Sequence, residues 1–125
     1  MKRFWSGLLL LLAACTSRDA GAARAGTLIL RLVGATGNDG AVLVIVSGGP
    51  ISSVAARAGY QIASHADGAG THVMVIGNLT LGAIATISVP DVSQESTYVA
   101  TVVQVADRTA FALLDPVGYQ VTVSK

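Results

Sequence analysis

The sequence predicts an all-β fold, a single antiparallel β-sandwich of seven to eight short strands over residues 27–125. Apolar and polar residues alternate with the two-residue period of strands, and β-branched residues fill the apolar runs. Turn-forming clusters recur every eight to twelve residues, with no helix of normal length between them. The 125 residues allow one domain, and a composition of 52% hydrophobic and 12% charged residues excludes disorder.

The first two predicted strands lie on either side of a turn cluster. Leu28, Leu30 and Leu32 alternate with mixed residues, which predicts a strand with one buried face. The cluster GATGNDG at residues 34–40 turns the chain, and residues 41–46 form a continuous apolar run typical of a strand covered on both faces. We expect these two strands to pair as a hairpin.

The middle of the chain contains one ambiguous segment. Residues 51–58 fit either two helical turns, ended by Gly59, or an extended edge segment. The extended alternative is favoured because everything that follows is predicted as β. Further strands are expected at residues 60–64, 71–76 and 82–89, with a loop at residues 65–70.

The C-terminal third ends in two turn signals. Asp91 followed by Gln94 resembles a capping box, which predicts one helical turn over residues 91–96. Asp115, Pro116 and Gly118 occupy the first, second and fourth positions of a predicted type I turn. The remaining strands are expected at residues 98–105, 111–114 and 119–123.

Residues 1–14 have the features of a secretory signal peptide. Lys2 and Arg3 supply a positive start, and the apolar run that follows is shorter than the roughly 20 residues that cross a bilayer. Residues 15–26 carry two glycines and no apolar stripe, so we expect a flexible tether before the domain.

The tetrapeptide Leu12-Ala13-Ala14-Cys15 resembles the lipobox of bacterial lipoproteins. The resemblance implies that Cys15 becomes the acylated first residue of the mature chain, anchored to a membrane of the cell envelope. Because Thr16 is not the aspartate that retains many such proteins at the inner membrane, it implies the outer membrane where the host has one. An ordinary secretory signal with an accidental cysteine is the alternative. Since Cys15 is the only cysteine, no disulfide is expected.

Over residues 27–123, the strand spacing is similar to that of cohesin and carbohydrate-binding sandwiches of exported bacterial proteins. The resemblance implies a sandwich and a binding role, and it carries over no residue. Sugar sites stack rings on exposed aromatic side chains. Removal of the signal leaves Tyr60, Tyr98, Phe111 and Tyr119, so a sugar-binding module requires Tyr60 or Phe111 to be exposed beside polar groups.

Few groups in the chain are suited to catalysis. It lacks a nucleophile elbow, a P-loop and a dinucleotide-binding glycine motif. His65, Asp67 and His72 offer ligands for zinc, which makes a small metal-dependent hydrolase the alternative function. Solvated turn residues are the simpler interpretation, so we predict no metal, no cofactor and no enzyme. Asp91 and Glu95 share a face if their turn is helical, although a capped, solvated turn is favoured over an acid–base pair.

Charge limits the partners further. Loss of Lys2 and Arg3 from the eight basic residues leaves six against seven acidic residues, a net charge of −1. Without a basic cluster, nucleic acid is a poor partner. Asn38, Asp39 and Asp67 offer oxygen ligands to calcium, but the spaced acidic loop of a strong calcium site is absent. The sequence therefore favours a lipid-anchored binding or structural module that contacts a protein or glycan through its surface or an edge strand.

Overall fold

The computed structural model describes residues 23–34 and 39–125, and it confirms the all-β class with two antiparallel sheets. The elements in chain order are β1 (Gly26–Leu32), β2 (Asp39–Ser47), β3 (Ser53–Ala56), β4 (Gln61–Asp67), β5 (Gly70–Ile76), β6 (Gly82–Val89), a 3₁₀ helix (Val92–Thr97), β7 (Val99–Asp107), β8 (Leu113–Leu114) and β9 (Val121–Ser124). One sheet has the order β3-β6-β1-β9 and the other β4-β5-β2-β7-β8.

A single hydrophobic core fills the space between the two sheets. Alternate side chains of β1 and β2 point into it, and each is at most 2% exposed: Leu28, Leu30, Leu32, Val42, Val44 and Val46. Burying one such side chain contributes about 1.5–3 kcal/mol. With no cysteine in the described residues, the stability of this domain depends on the core.

The prediction that the first two strands form a hairpin is wrong. β1 pairs with β6 and β9, whereas β2 pairs with β5 and β7. Both strands bury every second side chain in the same core, so they face each other from opposite sheets. The connection between them crosses from one sheet to the other, and its residues 35–38 lie outside the described residues.

The prediction that β2 is covered on both faces is also wrong. Leu43 and Ile45 point away from the core and are only half-buried. In the described part of the chain no element packs on this outer face of the five-stranded sheet. The continuous apolar run therefore marks a central strand with one apolar face in the core and one partly exposed.

Residues 51–58 take the extended alternative, since β3 pairs antiparallel with β6. The loop expected at residues 65–70 is instead a tight hairpin, because β4 continues to Asp67 and β5 begins at Gly70. Two features close this turn. The carboxylate of Asp67 accepts the N–H of Ala69 at 2.8 Å, and Gly70 takes a φ of +137° that other residues rarely adopt.

Of the two turns predicted in the C-terminal third, the helical turn is confirmed and the type I turn is wrong. The helical turn is the 3₁₀ helix, and the side chain of its N-cap Asp91 accepts the N–H of Ser93. The type I turn is wrong by one residue, because the N–H of Tyr119 donates to the carbonyl of Pro116 at 3.0 Å. Gly118 then occupies the third turn position with a φ of +94°, as in type II.

The two ends of the sandwich differ in what they expose. We call the end where β1 begins the proximal end, and the opposite end, where β1 finishes, the distal end. The distal end carries five of the seven large hydrophobic side chains that are exposed among the described residues: Val33, Leu81, Phe111, Leu113 and Val117. The other two, Val99 and Val103, lie on β7.

We expect Ile87→Ala to lower the free energy of unfolding by about 2–5 kcal/mol, because it leaves a cavity in a fully buried site. Val117→Ala, at a position that is 83% exposed, should change it by less than about 0.5 kcal/mol. Urea denaturation measures both. Equal losses in the two variants would contradict the assignment of the core.

Candidate functional site

The three residues considered as zinc ligands lie on the β4–β5 hairpin. His65 and His72 are direct cross-strand partners, with ring centroids 6.4 Å apart. Asp67 lies two residues further along β4, and its Oδ2 is 2.9 Å from Nε2 of His72. The two atoms are close, yet their alignment is not that of a hydrogen bond. The contact is therefore ionic when His72 is protonated.

The carboxyl of Asp67 has a pKa below its ordinary value of 3.8. The backbone N–H of Ala69 is the main cause, since it hydrogen-bonds the charged form, and the charge of His72 adds to the effect. The Asp67 side chain is 43% exposed, so solvent screens both interactions. This carboxylate closes the turn between β4 and β5.

The hairpin does not assemble a metal centre. Among the described residues, no group of three or more His, Cys, Asp or Glu side chains has the geometry to hold a metal ion. The depression of about 210 Å³ beside the two histidines is otherwise lined mainly by apolar side chains, among them Leu43 and Met74. The metal-dependent hydrolase therefore receives no geometric support from His65, Asp67 and His72.

Asp91 and Glu95 do not form a carboxylate pair for acid–base catalysis. Asp91 caps the 3₁₀ helix. Its carboxyl pKa is lowered mainly by a hydrogen bond from the Ser93 hydroxyl and, to a smaller extent, by one from the Ser93 N–H. Glu95 accepts the backbone N–H of Lys125 at 2.9 Å. The two carboxylates thus fix the helix and the C-terminal residue in place.

Asp39, which the sequence offered only as an oxygen ligand for calcium, is a buried carboxylate. It is fully inaccessible to solvent, and the hydroxyl of Tyr119, 80 residues away in sequence, donates to its Oδ1 at 2.5 Å. Its carbonyl also accepts the N–H of Leu79 at 3.1 Å. Asp39 therefore links β2 to two distal loops and is not a surface ligand for calcium.

The three tyrosines use their hydroxyl groups to hold loops. Tyr98 is buried and donates to the carbonyl of Pro50 at 2.7 Å, and burial raises its pKa. The Tyr60 hydroxyl contacts the carbonyl of Asn78 and the N–H of Thr80, each at 3.3 Å. Together with Tyr119, these residues are tied into the fold, which leaves them poorly placed for stacking against a ligand.

Phe111 is the one aromatic candidate that meets the exposure requirement for sugar binding. Its side chain is 65% exposed, and its backbone has a φ of +53°. It lies in the loop between β7 and β8, at the rim of a depression of about 230 Å³. The same depression is lined by Asn78 and Arg108, whose side chains are exposed.

A larger opening, which we call the edge groove, lies between β7 and β9. It has a volume of about 410 Å³ and is lined by residues 100–102 of β7 and residues 119–122. Ala100 and Val102 point toward the core but are only half-buried, whereas Val105, under β8, is 1% exposed. β8 pairs with β7 only at Val105 and Ala106. In the described part of the chain the β7 edge over residues 99–104 is therefore unpaired.

The edge groove is also free of charge. None of its lining residues is Asp, Glu, Lys or Arg. The edge strand β4, by contrast, carries His65 and Asp67. Since natural proteins use charges, bulges and short strands to protect exposed edges, an uncharged edge beside an incompletely covered core is an accessible pairing surface. One such protective feature is present: the register between β7 and β2 shifts at Val103, which is the mark of a β-bulge.

Comparisons with known proteins give no relative. The chain matches no known protein-family model, no curated protein and no solved structure. Within residues 23–34 and 39–125, no helix combines the length and apolar character needed to cross a membrane.

We expect Tyr119→Phe to lower the free energy of unfolding by about 1–3 kcal/mol, because it removes a hydrogen-bond donor from the buried Asp39 carboxylate. The matched control is Tyr60→Phe, whose hydroxyl makes only long contacts at a partly exposed site. Thermal and urea unfolding compare the two. A larger loss in the control would contradict the structural role of Asp39.

We expect an NMR titration to give Asp67 a carboxyl pKa below 3.8. A depressed pKa contributes stability that is present above the unfolded value and is lost as pH falls through the folded value. Because Ala69 is the main cause, His72→Ala should leave the pKa lowered but closer to normal. A return to 3.8 or above in His72→Ala would show that the histidine, and not the turn, sets the shift.

Proposed function

We propose that the protein is a lipid-anchored, non-catalytic binding domain of the bacterial cell envelope that holds an extended segment of a protein partner in the edge groove. The observation that carries this proposal is the half-exposure of Ala100 and Val102, whose side chains point into the core beside an unpaired strand edge. The anchor is proposed from Cys15, which lies outside the described residues.

Addition of a strand would both pair the free edge of β7 and cover the half-exposed side chains that point toward the core. A segment paired with residues 99–104 makes main-chain hydrogen bonds, each worth about 0.5–1.5 kcal/mol. Its inward side chains cover Ala100 and Val102, as in other cases of β-strand addition. Because the lining carries no charge, the expected segment is uncharged, with small or β-branched apolar side chains at alternate positions.

The proposed anchor leaves this site accessible. β1 begins at the proximal end, where the backbone N–H of Arg24 contacts the Asp91 carboxylate at 3.4 Å. Seven residues separate Cys15 from residue 23, where the described chain begins, and a flexible segment of that length would span roughly 15 Å. The edge groove runs along the side of the sandwich, so a membrane at the proximal end does not cover it. Two or more acyl chains on Cys15 would hold the domain there stably.

The absence of catalysis is proposed from how the polar side chains are used. In the described chain, Asp39, Asp67, Asp91 and Glu95 each accept a hydrogen bond that fixes a loop, turn or terminal residue. His72 contacts one of these carboxylates, Asp67. A reactive group at an enzyme site needs a cleft and neighbouring groups that tune its pKa. The edge groove contains neither a carboxylate nor a histidine.

The partner is tested by photocrosslinking in intact cells from an unnatural side chain at Thr122, in the edge groove. The matched control is Ser53 on β3, at the edge of the same sheet. We expect a protein adduct from Thr122 only, mapping to an uncharged extended segment and abolished by Thr101→Lys. Adducts from both positions, or adducts that survive Thr101→Lys, would contradict docking here. An adduct to a second copy of the chain would replace the partner with self-association.

The anchor is tested separately with Cys15→Ala. We expect this variant to leave the membrane fraction and to lose labelling by a palmitate analogue, because the thiol is the acylation site in the lipobox interpretation. Cys15→Ser is a second variant that keeps the side-chain size. Membrane retention of either variant equal to that of the wild type would contradict lipid anchoring.

A further inference from the structure

The backbone of Phe111 has a conformation that its side chain disfavours. The N–H of Asp107 donates to the carbonyl of Ala112 at 2.9 Å, which closes a four-residue loop over residues 108–111. Phe111 is the last residue of this loop, with a φ of +53° in the left-handed region. Gly and Asn adopt this region easily, whereas a bulky side chain is strained there.

Burial does little to compensate for this strain. The Phe111 side chain is 65% exposed and is absent from the set of hydrophobic residues packed on the core. Leu114, three residues later, does pack on the core. A residue that violates a local rule without a compensating contact is expected at a functional site.

The loop presents Phe111 from a tightly packed position. Gly40 of β2 lies beneath it, and a Cβ on Gly40 would stand 2.7 Å from the Cα of Arg108. The carboxylate of Asp107 accepts the N–H of Ala110 at 2.8 Å. Main-chain contacts and a capped turn therefore hold the loop that places Phe111 in the lining of the depression.

The lining of the depression combines one aromatic ring with two polar side chains. Asn78 offers an amide, and Arg108 offers guanidinium N–H donors. The glycines at 40 and 77 and the side chain of Ile76 complete the lining. Such a set suits a ligand ring with one apolar face and polar groups around its edge, which is the chemistry of a pyranose.

We propose that Phe111, Asn78 and Arg108 form a saccharide-binding site at the distal end. The apolar face of a sugar ring stacks on Phe111, while Asn78 and Arg108 hydrogen-bond its hydroxyl oxygens. The site shares no lining residue with the edge groove, and it goes beyond the proposed function. An envelope domain with both sites holds a protein segment along its side and a glycan at its tip.

The test measures stability and sugar binding in the same variants. Phe111→Gly should raise the melting temperature, because glycine relieves the backbone strain, while weakening sugar binding by about tenfold or more. Phe111→Trp keeps the aromatic ring and should retain binding. The control is Leu113→Ala, at a site that is 70% exposed and in regular strand conformation, which should alter neither property.

Binding is followed by amide NMR titration of the mature domain with two probes, soluble glycan strands released from peptidoglycan and maltotetraose. We expect at least one probe to change the amide chemical shifts of Gly40, Gly77, Arg108 and Phe111. These changes should be absent in Phe111→Gly. At a probe concentration of about 10 mM, a site with a Kd of about 1 mM would be mostly occupied, so the absence of shifts with both probes would overturn the proposal. So would a lower melting temperature in Phe111→Gly, or binding weakened equally in Leu113→Ala, which would indicate a general apolar surface. Crosslinking from the edge groove should be unchanged in Phe111→Gly, so failure of one site is distinguishable from failure of the other.

Discussion

The rest of this structure depends on one shared hydrophobic core between two sheets, with no disulfide in the described domain to support it. Each strand has to turn alternate side chains toward that core, which is why Leu28, Leu30 and Leu32 of β1 face Val42 and its neighbours on β2. The core is well covered wherever two strands lie opposite each other. Beside β7, where β8 covers only two residues, inward side chains remain half-exposed. The edge groove, which is the main candidate binding site, thus exists because β8 pairs with only two residues of β7.

Local pattern was sufficient to predict the strands but not their neighbours. The expected strand at residues 82–89 has the observed bounds of β6, because alternation and flanking turn residues are properties of the segment itself. The β1–β2 hairpin was wrong because alternation gives the buried face and says nothing about which sheet a strand joins. The loop expected at residues 65–70 was wrong because its polar residues occupy exposed positions of an edge strand, where solvent accepts them as readily as in a loop.

The candidate sites were predictable to different extents. The sequence offered His65, Asp67 and His72 as ligands without predicting the hairpin that brings them together, and their geometry is that of an ion pair with a neighbouring ring. The sequence makes exposure of Phe111 a requirement for sugar binding, but it does not predict the left-handed backbone, because φ depends on the length of the loop between β7 and β8. The Asp39–Tyr119 contact spans 80 residues and leaves no local trace in the sequence. Among the described residues, the carboxylates that looked reactive hold loops and turns, and the candidate binding surfaces proposed above are an uncharged edge and an exposed ring.

Residue-resolved amide hydrogen exchange on the isolated mature domain shows whether the core is complete except along β7. We predict slow exchange in β2 and in the parts of β1 and β6 that have a paired strand on both sides, residues 29–32 and 85–88. Along residues 99–104 of β7 we predict alternation, with amides directed at β2 slow and amides directed away from β2 exchanging rapidly. Uniform protection along β7 would show that another part of the chain already closes the edge groove, and would contradict the account.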